Sequence, residues 1–138
     1  MIDIEAELFH RVVDEVRSKY DWGSSVTFYN DVPYAVQKFP CVTITERDNR
    51  TVEQSMDSSL TERHAVLDYE VNVYSNATSK RKAEAKAIMS AVDDVFIHLG
   101  FRRRILEALP EPEDWSIFRL LARYTCIVGE DKTIYRRP

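Results

Sequence analysis

Three consecutive arginines, Arg102-Arg103-Arg104, stand together in the chain. A guanidinium stays charged at any working pH and offers a planar fork of donors to carboxylates or phosphates. The triplet follows a helical pattern that stops at Gly100. Its structural reading is that cations complement the negative end of a helix, worth up to about 1 kcal/mol. Its functional reading is a contact to an acidic partner or to nucleic acid. Arg119 and Arg123 add positive charge on one side of a later strand pattern.

Other chemistry-bearing residues are scattered. Asp94 and His98 stand four apart on a helical pattern and share a face, but a metal site needs more than two ligands. Cys41 and Cys126 fall in strand-like segments and read as buried free thiols, since cysteine packs as a small apolar group. Nothing local pairs Cys41 with a histidine as nucleophile and base. Gly23, Gly100 and Gly129 are too dispersed for a phosphate loop. Glu111, Glu113 and Asp114 read as solvated charge in a Pro-containing loop. The expectation is a protein without catalytic, cofactor-binding or metal-binding residues, and so not an enzyme.

The elements that position these groups centre on residues 65–99. Ala65, Leu67, Tyr69, Val71 and Val73 alternate with polar residues, as in a strand with one buried face. Residues 75–79, Ser-Asn-Ala-Thr-Ser, offer a turn and several side-chain caps for a helix start. Ala85, Ile88, Val92, Val95, Phe96 and Leu99 then follow helical spacing. That helix is roughly 30 Å long, and Gly100 ends it in the left-handed conformation.

Asp3 can cap a first helix over 4–20, with Leu8, Phe9, Val12, Val13, Val16 and Tyr20 inward. Residues 26–30 and 41–47 read as strands. Residues 101–106 suggest a short helical turn, residues 115–128 a strong strand and residues 133–136 a last short one. The predicted order is α-β-β-β-α-β-β. It favours an α+β fold, a mainly antiparallel sheet of four to five strands with two helices on one face. Between the second and third strands, residues 48–62 are polar and too long for a tight hairpin. Asp48, Asn49, Arg50, Val52, Glu53, Met56 and Leu60 are assigned to a projecting assembly arm there.

The chain of 138 residues, 44% hydrophobic and 30% charged, reads as one domain over 1–138. It has no apolar run of membrane-spanning length. The first residues lack a signal-peptide pattern, so the Asn-x-Thr sequences at Asn49 and Asn76 read as chance matches or turn residues and a cytoplasmic setting is expected. A formal net charge of −4 argues against a general nucleic-acid binder.

Several stretches, taken in order, resemble one family. They are Phe39-Pro40-Cys41-Val42-Thr43-Ile44 with Glu46, and Tyr69-Glu70-Val71-Asn72-Val73-Tyr74-Ser75-Asn76. The basic, Ala-rich start of the long helix, ending in Leu99-Gly100-Phe101, comes next. Phe118-Arg119, Arg123-Tyr124 and Ile134-Tyr135-Arg136-Arg137 complete the set. In this arrangement the chain resembles the tail-terminator (tail-completion) proteins of long-tailed phages and prophages, relatives of minor tail protein U. The resemblance implies a small α+β subunit that forms a homo-oligomeric, hexameric ring. It implies a virion location at the head-proximal end of the tail, after assembly in the bacterial host cytoplasm. Its partners would be the tail tube protein and the head–tail connector protein, with no cofactor, no membrane and no specific nucleic-acid binding. Arg102, Arg103 and Arg104 would then meet acidic protein surface. A head-completion or head–tail joining protein is the neighbouring reading. A cytosolic ligand-binding module, with the polar arm as a lid, is the reading from a different class.

Overall fold

The computed structural model describes residues 1–31, 38–52, 64–110 and 114–135. Its first helix, α1 (Glu5–Lys19), buries Leu8, Val12, Val13 and Val16 on one stripe. Ile2 and Ile4, ahead of the helix, are buried with them. Ile4 holds the N-cap position. Asp3 acts from one residue earlier, where its Oδ1 accepts the Glu5 N–H at 3.0 Å. A 3₁₀ turn (Asp21–Ser25) packs back on the helix end so tightly that a Cβ on Gly23 would lie 2.6 Å from the Val16 carbonyl oxygen.

Among the described residues six strands form one sheet: β1 (Thr27–Tyr29), β2 (Cys41–Thr51), β3 (His64–Ser75), β4 (Arg102–Leu109), β5 (Phe118–Gly129) and β6 (Ile134–Tyr135). The order is β1-β2-β3-β5-β4, with β6 also paired to β5. Every pairing is antiparallel except β1 with β2, which is parallel. This is the expected α+β architecture, with the sheet one strand larger. Both helices lie on one face, where Val42 and Ile44 of β2 and Leu67, Tyr69, Val71 and Val73 of β3 meet Leu120, Ala122, Tyr124, Cys126 and Val128 of β5.

The extra strand is β4. Residues 101–106 are not a helical turn: Arg102–Leu109 pairs along β5 from Thr125 to Arg119. Leu106, Glu107, Ala108 and Leu109 all have good helix propensity, but an available sheet edge overrides so weak a preference.

The second helix, α2 (Arg81–Leu99), buries Ala85, Ile88, Met89, Ala91, Val92, Val95 and Phe96. Its N-cap, Lys80, makes no side-chain capping bond, so the Ser/Thr/Asn run before it does not cap it. Ser75 instead donates to Glu84 Oε1 at 2.9 Å. At the other end Gly100 has φ +104, and the N–H groups of Gly100 and Phe101 bond to the carbonyls of Ile97 and Phe96. This paired closure brings Phe101 onto Phe96, with ring centroids 5.0 Å apart and edge-on. Tyr124 stacks on the other side of Phe96 at 4.3 Å.

Candidate assembly surfaces

One lateral edge of the sheet is β4. Residues 102–108 are exposed along its whole length, including Ile105 and Leu106 at 41% and 45%. Among the described residues no strand pairs with its outer side, which leaves a row of main-chain donors and acceptors open to strand addition.

A bulge between Arg103 and Ile105 splits the arginine triplet. Arg103 sits opposite Tyr124 and reaches α2, where Nη1 donates to Asp93 Oδ1 at 3.2 Å. The Tyr124 hydroxyl donates to the same oxygen at 2.6 Å. Burial first, and then this bonded carboxylate, push the Tyr124 pKa well above the usual phenol value. Arg104 Nη1 lies 3.9 Å from Asp68 Oδ1, an ion-pair distance too long for a hydrogen bond. That buried oxygen has no hydrogen-bond partner. All three arginines remain exposed.

The opposite edge carries both signs, with Arg47 and Arg50 on β2 beside Glu46 and Asp48, and it gathers three carboxylates where Asp3 and Glu5 meet Glu46. β1 covers only Cys41, Val42 and Thr43 of β2. Further along, the Glu46 N–H donates to Glu5 Oε2 at 3.1 Å, and the Tyr69 hydroxyl donates to Glu46 Oε1 at 3.0 Å. Burial raises the Glu46 pKa, and the charges of Glu5 and Asp3 raise it further, against the pull of the Tyr69 bond. Among the described residues none of Asp3, Glu5 and Glu46 forms an ion pair.

The segment read as an arm begins later than its polarity suggests. Asp48, Asn49 and Arg50 belong to β2, in register with Asp68, Leu67 and Val66. Asp48 pairs with Arg50 at 2.7 Å, and Asn49 Nδ2 donates to the Ile2 carbonyl at 2.8 Å. Val52 continues the ladder by donating its N–H to the His64 carbonyl at 2.9 Å. Glu53, Met56 and Leu60 lie outside the described residues.

The face of the sheet opposite the helices carries a polar network that reading of the sequence missed. Arg123 pairs with Glu70 at 3.1 Å. Asn72 Nδ2 donates to Glu70 Oε2 at 3.2 Å, and Arg119 Nε donates to Asn72 Oδ1 at 2.9 Å while its guanidinium lies over Tyr74. Glu70 and Asn72 are buried. The alternation that marks β3 as half-buried was the available signal, because each polar partner occupies an intervening position.

No protein-family model matches the chain, and no curated protein matches it. Among solved structures, it resembles a chain from the virion of a native gene transfer agent (GTA) particle. The TM-score is 0.60 at 21% identity, over 86% of this chain and 91% of that one. The likeness is one of fold.

The side chains with potential for chemistry stay dispersed. Burial pushes the thiols of Cys41 and Cys126 up to about 12, so neither is a ready nucleophile, and both are free. His98 Nδ1 donates to the Asp94 backbone carbonyl at 2.7 Å instead of meeting its carboxylate. Among the described residues no group of three or more His, Cys, Asp or Glu is placed to hold a metal. No described helix is long and apolar enough to cross a membrane.

Proposed function

We propose that this chain is a structural phage protein, a tail terminator whose subunits form a ring that caps the tail tube and joins it to the head connector. The observation that carries the reading is the fold shared, over most of both chains, with a component of a gene transfer agent virion. The motif resemblance to tail terminators narrows that class to this role. The exposed β4 edge fits it, because a contact between unlike surfaces, repeated around a closing rotation, builds a ring. An assembly subunit works through its surfaces and requires no cleft chemistry.

The test is native mass spectrometry and negative-stain microscopy of the purified chain, followed by incubation with tail tubes and with connectors prepared separately. Closed rings, hexameric in the proposed form, that bind one end of the tube support the terminator. Rings that bind connectors and ignore tubes would make it a head-completion protein. A persistent monomer that binds neither would remove the reading.

A further inference from the structure

Following the sheet register from one edge to the other places opposite charges at the same height along the strands. Arg102 is level with Thr125, Asp68 and Asp48; Arg103 is level with Tyr124, Tyr69 and Glu46. Each edge also carries a bulge in this row, between Arg103 and Ile105 on β4 and between Glu46 and Asp48 on β2. We infer that these two edges are the two halves of one contact: the arginine triplet of one copy docks on the Asp3–Glu5–Glu46 patch of the next. The inference rests on the ring reading and names the surfaces that would make the ring.

The occupant is a second copy because both halves are present on each chain and match without a shift along the strand direction. Three carboxylates crowd one edge with no ion-pair partner among the described residues. The guanidinium groups on the other edge have more donors than their local contacts use. Arg104 holds Asp68 only at 3.9 Å and Arg103 is 44% exposed. Ile105 and Leu106, exposed beside them, supply apolar area that an ion-pair contact alone would lack. Being head-to-tail, the contact leaves an unused half at each end of any open chain of subunits, and only closure satisfies both.

Charge reversal tests this without touching Arg103, which braces α2. The basic-edge variant is R102E/R104E and the acidic-edge variant is D3K/E5K, each checked by circular dichroism for a native fold. Each alone juxtaposes like charges at every contact, and native mass spectrometry should show loss of the oligomer in both. Mixed in equal amounts, each variant's altered edge meets the other's complementary edge, and assembly should return with the two alternating. Either variant assembling as the wild type does would overturn the inference while leaving the ring intact. Two monomeric, folded variants that fail to assemble on mixing would overturn it as well. A wild-type chain that stays monomeric at low salt and binds neither tubes nor connectors would instead remove the ring reading on which the inference rests. If D3K/E5K does not fold, D3N/E5Q keeps hydrogen-bonding groups at both positions. It should then weaken the wild-type oligomer and flatten its salt dependence, and an unchanged salt dependence would overturn the contact.

Discussion

Phe96 is fully buried between Tyr124, Phe101 and Tyr69, on a helix face whose spacing is readable directly from residues 85–99. Removing its ring leaves a cavity that three other aromatic groups cannot collapse to fill. Phe96→Ala should cost about 3–5 kcal/mol, visible as a lower denaturant midpoint with the slope unchanged. The polar ends of the same cluster are less legible. Tyr69 and Tyr124 look like plain core residues in the alternation, yet each donates to an acid, Glu46 or Asp93. Burial holds the Glu46 carboxyl above its ordinary value of 4.5. The folded chain therefore binds more protons than the unfolded chain between that value and the raised one. The stability due to this group is fully present at lower pH and is lost as pH rises through the raised pKa. Glu46→Gln keeps an acceptor for Tyr69 and cannot ionise. Its urea midpoint relative to the wild type should rise with pH across that window and level off above it. A difference that stays constant with pH would show that the charge of Glu46 does not matter.

At the scale of elements, β3 and α2 are the parts most legible in the sequence, because each has a clean period and a marked end. Gly100 supplies that end, and its φ of +104 is open to few other residues. A Cβ there would also lie 3.2 Å from Ile134 Cγ2. Gly100→Ala should lower stability by about 1–2 kcal/mol, measured as a lower Tm, because an L-residue is strained in the left-handed region. The misread elements share one physical cause, since a strand with no buried face needs no alternation to mark it. Residues 48–51 are all polar and only partly covered, so they look like the start of a loop, and the exposed edge strand β4 carries adjacent apolar residues, Ile105 and Leu106, with no period. The parallel pairing of β1 with β2 is set by tertiary contact and leaves no local trace. The proposed arm, residues 48–62, now reduces to residues 53–62, since Val52 is already bonded to His64. Joining Val52 and His64 through an Asn-Gly turn should leave the monomer folded, as loop closure depends only weakly on length. Ring formation should fall if the segment orders on a neighbour. Native mass spectrometry beside a thermal melt separates the two effects.

For the whole molecule, the net charge of −4 conceals an uneven distribution. Positive charge gathers on β4 and at the start of α2. There Lys80, Arg81, Lys82 and Lys86 have no ion-pair partner among the described residues, although cations oppose the dipole at that end of a helix. In the proposed terminator role DNA would cross the ring between head and tail, and tight duplex binding would hinder it, because each phosphate neutralised by a cation strengthens the grip. Assignment of the arginine triplet to protein contact therefore predicts little duplex binding at physiological salt, with any low-salt binding owed to the α2 cations. In a fluorescence anisotropy titration, replacing Lys80, Arg81, Lys82 and Lys86 by Gln should abolish the low-salt signal and leave the oligomer in place. R102E/R104E should have the opposite effect, dispersing the oligomer while each monomer keeps its α2 cations. Tight duplex binding at physiological salt that disappears with R102E/R104E would give the triplet to nucleic acid instead. The two substitutions thus separate the two uses of positive charge, since they lie on different elements and remove different readouts.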